Sequence, residues 1–329
     1  MELTHEQWKE ARKGVKRYMS APGWALLIYY GIMNVAVLGW VIVETVAEMI
    51  RVGLSGNPAV VEGVLMDAAE SAWGYFIAAA IGFLILLLWK KPRYFGREIF
   101  AKNRPMKIGE FFCLLCVFLS GQMIFQLGTT GLELILNAFG YTIAEGIESM
   151  QVDPDNFGMF LYAGILAPIT EELLFRGLIL RTLKPFSKRF AIFASALTFG
   201  LFHGNLLQGP YAFVVGLVLG YVAVEYNIIW AMVLHMINNL VMADMLYRLL
   251  GSLPVDTVNM IIWLIIGVCT LIAVVILILK RKKIAAWLRD NHTHRAYVGC
   301  YFSCAGTIFL LIILGLSTIV TTWMLITPL

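Results

Sequence analysis

Charge is what this sequence has least of. Only 14% of its 329 residues are Asp, Glu, Lys or Arg, while 60% are hydrophobic and the mean hydropathy is +0.80. Soluble domains carry about 25% charged and about 45–50% apolar residues. The shortage leaves too little polar surface to face water, so the chain reads as an integral, multi-pass membrane protein in contact with the lipid bilayer. A net charge of +4 gives no reason to expect nucleic acid as a partner. Cysteine is also sparse, at five residues. Cys113 and Cys116 form a C-x-x-C without the βαβ surroundings of a redox motif, and read as small buried hydrophobes. His292 and His294 fall in a basic loop and read as solvated. There is no G-x-S-x-G and no H-E-x-x-H, and the main intramembrane acids are glutamates. Serine and aspartyl intramembrane peptidases are thereby disfavoured. The first 22 residues are polar and basic, and the apolar run after them is too long for a signal h-region, so the first span is expected to remain as an anchor.

Long hydrophobic runs are what the chain has in abundance. A helix needs about 20 mainly apolar residues to cross the hydrocarbon. The runs are Gly23–Val43, Ser71–Trp89, Phe111–Leu132, Phe157–Leu180, Phe190–Leu207, Tyr211–Val224, Asn227–Tyr247, Val258–Leu279 and Val298–Ile326. They predict an all-α, polytopic transmembrane helix bundle of about nine spans, or eight if the short sixth does not cross. Three parts of one membrane-embedded unit follow: helices 1–3 over residues 1–156, a core of helices 4–7 over 157–250, and helices 8–9 over 251–329. Gly216 and Gly220, spaced as G-x-x-x-G, suit close packing of the sixth helix. Trp24, Trp73, Trp89, Tyr297 and Trp323 near span ends suit anchoring at the interface.

Loop charges alternate. Lys9 to Arg17, then Lys90, Lys91, Arg93, Arg97, Lys102, Arg104 and Lys107, then Arg181 to Arg189, then Lys280 to Lys283 mark one side. Glu62, Asp67 and Glu70, then Glu145, Glu148, Asp153 and Asp155, mark the other. Lys and Arg accumulate on the cytoplasmic side, which puts the amino terminus inside. The expected location is a bacterial cell membrane.

Against this background a few polar residues stand out. Glu171 and Glu172 are adjacent within the fourth span, with Arg176 a turn further on. Ionisable residues in a bilayer are expensive, face the bundle interior and mark function. Neighbours on a helix point about 100° apart, so the two carboxylates have different work. Glu172 and Arg176 share a face, which leaves Glu171 as the freer group and the natural general base. Pro168 should kink this helix and free the carbonyl of Gly164. On the fifth span Phe199 and His203 share a face, and Gly200 permits close approach. On the seventh, His235 and Asn239 are one turn apart. Taken singly, the second carboxylate argues against a merely structural ion pair in the first piece, a lone His203 is more often structural, and His235 with Asn239 reads as well as an interhelical hydrogen-bond pair. Counted by helical rise from the span ends, all three fall at compatible depths, so they are expected to build one chamber.

At these residues the chain resembles the CPBP intramembrane proteases, also called the Abi or type II CAAX prenyl endopeptidase family. The shared pattern is E-E-x-x-x-R, then F-x-x-x-H, then H-x-x-x-N on membrane helices, met here by Glu171, Glu172 and Arg176, by Phe199 and His203, and by His235 and Asn239. The resemblance covers roughly residues 157–245. It implies hydrolysis of a peptide bond in a membrane-associated or lipidated peptide or protein. By position, Glu171 with His203 would hold and deprotonate water, His235 and Asn239 would form the oxyanion hole, and Glu172 with Arg176 would organise the set. The family is often labelled metalloprotease. Zinc held by Glu171, His203 and His235 is therefore the alternative to the favoured cofactor-free mechanism. Two other readings compete: a non-enzymatic bacteriocin-immunity or regulatory protein that binds a peptide, and a proton-coupled transporter.

Overall fold

The computed structural model describes residues 5–51, 63–64, 67–68, 71–89, 99–101, 103–148, 156–240, 249–250 and 252–329. The described residues are nearly all helical, as the hydrophobic runs require. Helix α1 (His5–Arg51) is followed by α2 (Trp73–Trp89), α3 (Ile108–Leu119), α4 (Gln122–Asn137) and the short α5 (Ala144–Glu148). The next stretch, from Phe157 to Leu183, is one continuous helical rod whose register changes along its length. Segments α6 (Phe157–Leu161), α7 (Ala167–Glu172) and α8 (Arg181–Leu183) are α-helical, with π-helical turns at Tyr162–Leu166 and Leu173–Leu180 between them. Then come α9 (Lys188–Phe202), α10 (Gly209–Glu225), α11 (Ile228–Ile237), α12 (Val255–Asp290), α13 (Arg295–Phe302) and α14 (Ala305–Met324). A two-stranded ribbon, β1 (Tyr141–Thr142) against β2 (Thr327–Pro328), ties the carboxyl end to the loop after α4.

Among the described residues, four helical stretches are long and apolar enough to cross a membrane: Lys9–Arg51, Ile108–Asn137, Val255–Asp290 and Ala305–Met324. Shorter apolar helices lie at Trp73–Leu84, Gly209–Glu225 and Ile228–Leu240. The expected count of nine is therefore matched only in part. Two of the expected spans are broken. Phe111–Leu132 divides at Ser120–Gly121, and Val298–Ile326 divides at Ser303–Cys304, where α13 ends and α14 begins. The second break has a packing reason. It brings Gly306 backbone to backbone against Gly23 of α1, and the Gly306 N–H donates to Ser20 Oγ at 2.9 Å. The expected span Asn227–Tyr247 is helical as far as Leu240, and its remainder lies outside the described residues.

The rod from Phe157 to Leu183 runs through the middle. Every residue from Leu173 to Leu183 except Arg181 is buried, whereas Leu264, Leu271 and Leu279 of α12 and Ile319 and Trp323 of α14 are more than half exposed. A soluble protein does not leave such large side chains bare on its outer faces; here they are the lipid-facing surface. Two expectations about cysteine need correction: Cys113 is exposed and Cys116 half-buried, both on the outer helix α3, while Cys300 and Cys304 are the buried ones. An outward-facing thiol sits as readily in hydrocarbon as in a core.

The basic loops meet at one end. Lys188 pairs with Glu225 at 3.1 Å, and Trp287 Nε1 donates to the same carboxylate oxygen. Asn103 and Arg104 bond to the backbone of Tyr226 and Glu225, and Ser187 bonds to Thr293. His292 and His294 are exposed there, as expected. Of the loop charges named above, Lys90, Lys91, Arg93, Arg97, Lys102, Glu62, Glu70, Asp153 and Asp155 lie outside the described residues.

Candidate active site

Close helix packing comes first, because it decides how near the polar groups come. A Cβ on Gly200 would stand 2.8 Å from the Gly209 carbonyl oxygen, and one on Gly216 would stand 3.2 Å from Ala196 and Phe199. These glycines let α10 lie directly on α9, as the G-x-x-x-G spacing suggests. Helix α9 then stops at His203: Gly204 takes φ +71, and Asn205 folds back, donating to the His203 carbonyl at 3.1 Å. Only glycine adopts that backbone without strain.

Glu172 and Arg176 are both fully buried, and Arg176 Nη1 donates to Glu172 Oε1 at 2.8 Å. Through Nη2 the guanidinium reaches the Gly216 carbonyl at 3.3 Å, and its carbon lies 4.4 Å from the centre of the Phe199 ring. His235 Nδ1 donates to the same Glu172 Oε1 at 3.0 Å. Glu172 therefore joins its own helix to α11 directly, and to α9 and α10 through Arg176. That oxygen is fully engaged.

Glu171 differs. Its side chain is 22% exposed, and its Oε2 lies 3.7 Å from His235 Nε2. That distance is too long for a hydrogen bond but short for charge–charge attraction. His203 Nδ1 donates to the Phe199 carbonyl at 2.8 Å. A carbonyl can only accept, so Nδ1 carries hydrogen and, in the neutral ring, Nε2 presents a lone pair. Phe199 stands edge-on to both imidazoles, with ring centres 4.7 Å from His203 and 5.7 Å from His235. It separates and orients them.

Glu171, His203, His235 and Asn239 line one cavity of about 80 Å³ together with Tyr211, Asn238 and Phe118. That is room for a few water molecules. The three expected pieces thus come together. Asn239 is the one whose setting differs most from expectation: its Nδ2 donates to the Ala163 carbonyl at 2.9 Å. The π turn explains why the Ala163 carbonyl is open to this donor. The Ala167 N–H has moved to the Tyr162 carbonyl, and the next nitrogen in that register belongs to Pro168, which has no hydrogen to offer Ala163.

A polar wall behind Asn239 was not read from the sequence. Asn238 Nδ2 donates to Asn239 Oδ1 at 3.0 Å, and Asn238 Oδ1 accepts from Tyr211 Oη at 2.9 Å and Gln122 Nε2 at 3.0 Å. Gln122 Nε2 is also 2.9 Å from Tyr211 Oη. A signal existed: an amide in a membrane span needs a partner, and Gln122 and Asn238 are both such amides. Among the described residues no group of three or more His, Cys, Asp or Glu side chains is arranged to hold a metal ion. The proposed zinc set of Glu171, His203 and His235 lines the cavity without forming one.

Fold and site together define a class: a polytopic helical membrane protein with a carboxylate, two imidazoles and two amides around a small interior cavity. Residues 153–241 match the family described as Type II CAAX prenyl endopeptidase Rce1-like, and this segment is an Rce1-like domain of the CPBP protease family. The match covers under a third of the chain and contains every residue of the three motifs. Comparison with curated proteins and with solved structures found no match.

Proposed function

We propose that this chain is an intramembrane endopeptidase that hydrolyses a peptide bond with a water activated by Glu171. One observation carries the reading: Glu172 Oε1 is held by Arg176 at 2.8 Å and His235 at 3.0 Å, while Glu171 stands off at 3.7 Å from His235 and lines a water-sized cavity with His203. A structural ion pair needs only one of the two acids.

In the proposed mechanism a water donates one hydrogen to Glu171 and the other to the His203 Nε2 lone pair. Its oxygen attacks the scissile carbonyl carbon, and Glu171 takes the proton. The carbonyl oxygen becomes an oxyanion, held by His235 and by the second Asn239 N–H. The C–N bond breaks as Glu171 passes its proton to the departing amine. No step is routed through a metal. The amino terminus and the basic loops lie in the cytoplasm in this reading, and the membrane is a bacterial one. The substrate is a membrane-associated or lipidated peptide.

The test compares membranes holding wild-type protein with membranes holding Glu171→Ala, sequencing new protein carboxyl termini. A quenched-fluorescent peptide ending in a C-a-a-X motif, with and without a farnesyl group, serves as the second probe. We expect termini and fluorescence that depend on Glu171. Equal signals from the two proteins would defeat the proposal.

A further inference from the structure

Tyr211 stands on the first turn of α10, a helix whose only expected contribution was packing. Tyr211 lines the same cavity as Glu171, His203 and His235. Its ring is held in place from outside: Phe125 of α4 packs edge-on against it, with ring centres 6.2 Å apart. Burial of an aromatic hydroxyl normally obliges it to find a partner. Tyr211 has two, Asn238 Oδ1 and Gln122 Nε2, both at 2.9 Å.

The arrangement of those partners is unusual in one respect. Asn238 Oδ1 already accepts from Gln122 Nε2 at 3.0 Å, so it does not depend on Tyr211. The Tyr211 oxygen, in turn, is held as an acceptor by Gln122. Its own hydrogen can therefore rotate away from Asn238 into the cavity without leaving a buried acceptor bare. A phenol keeps its proton at neutral pH, which suits it to donate rather than to exchange. Asn239, by contrast, has committed one N–H to the Ala163 carbonyl.

Resting on the peptidase reading above, we propose that Tyr211 is a further catalytic residue, an oxyanion donor whose hydroxyl hydrogen turns from Asn238 to the carbonyl oxygen as negative charge develops there. No proton is transferred: the O–H bond of Tyr211 stays intact while water adds to the carbonyl and the C–N bond later breaks. Gln122 is its positioning residue. It steadies the phenol oxygen and holds Asn238 during the swing.

The experiment measures kcat and KM for Tyr211→Phe on the farnesylated C-a-a-X reporter, or on a peptide spanning a cleavage site mapped in membranes. A single oxyanion donor is worth about 10²–10³ in rate. We expect kcat to fall by at least about 10-fold, toward that range, with KM within about twofold and the pH profile unchanged in shape. Gln122→Met should give a smaller kcat loss. The double variant should be no slower than Tyr211→Phe alone, because both act through one hydroxyl. A purely structural Tyr211 would lower the melting temperature and leave kcat per folded molecule intact, which overturns the proposal. If Tyr211→Phe does not fold, a full-strength Gln122→Met enzyme overturns it instead. Wild-type protein that cleaves no probe and leaves no new termini would remove the peptidase reading itself, and Tyr211 with it.

Discussion

Glu171 and Glu172 are neighbours with different work, and substitution should separate them. Glu171→Gln is expected to slow cleavage by roughly 10²–10⁴-fold, the usual worth of a general base, with little change in melting temperature. Glu172→Gln is expected to unsettle the fold. It strips the carboxylate charge from a fully buried guanidinium, and losing one partner of such a pair costs about 3–5 kcal/mol. Thermal unfolding in detergent distinguishes the two outcomes. A joint Glu172→Leu, Arg176→Met replacement should recover much of that stability, since apolar pairs of similar volume often replace buried ions without loss. It should not recover activity, because His235 would lose its acceptor. At this scale the sequence was most legible: Glu171, Arg176, His203 and His235 declare themselves by being costly in a bilayer. Tyr211 did not, because a tyrosine at the start of an apolar helix looks like an interfacial anchor.

Among the elements, the rod carrying the two glutamates is where sequence reading and structure part most. Spacing at i and i+4 correctly put Glu172 beside Arg176, but it could not foresee π-helical turns on both sides of Ala167–Glu172. Those turns depend on neighbours in space, such as Ser195, whose hydroxyl takes the Phe175 carbonyl at 2.9 Å. They also decide which carbonyl Asn239 finds. Pro168→Ala restores an N–H that can compete for Ala163. We therefore expect this variant to keep or gain thermal stability while losing activity, measured as kcat on the same reporter. Gly200→Ala should be damaging in both respects. Its Cβ would meet a backbone oxygen at 2.8 Å, and overpacking of this kind costs about 1–3 kcal/mol.

For the whole molecule, composition alone announced a membrane protein. The breaks in the third and last spans were not legible. Neither is marked by proline; each is fixed by what packs on it, Val215 against Gly121 and Gly23 against Gly306. Packing of the outer helices has a direct check. Cys116 on α3 and Cys269 on α12 are neighbours across the two helices. Mild copper–phenanthroline oxidation of membranes should link them, and peptide mass spectrometry should find that bridge; a Cys113–Cys269 link in its place would mean that α3 is turned about its axis.

Arg176 grips the α10 backbone through a carbonyl, and it shares one oxygen of Glu172 with an imidazole from α11. Architecture and reactivity thus have a common keystone, and the two will decay at different rates. A descendant chain that drifted from Glu171 or His203 could keep its bundle and fall silent. One that drifted from Glu172 would be cleared from the cell before its lost chemistry mattered. Living and dormant members of such a lineage should therefore differ at Glu171 and agree at Glu172.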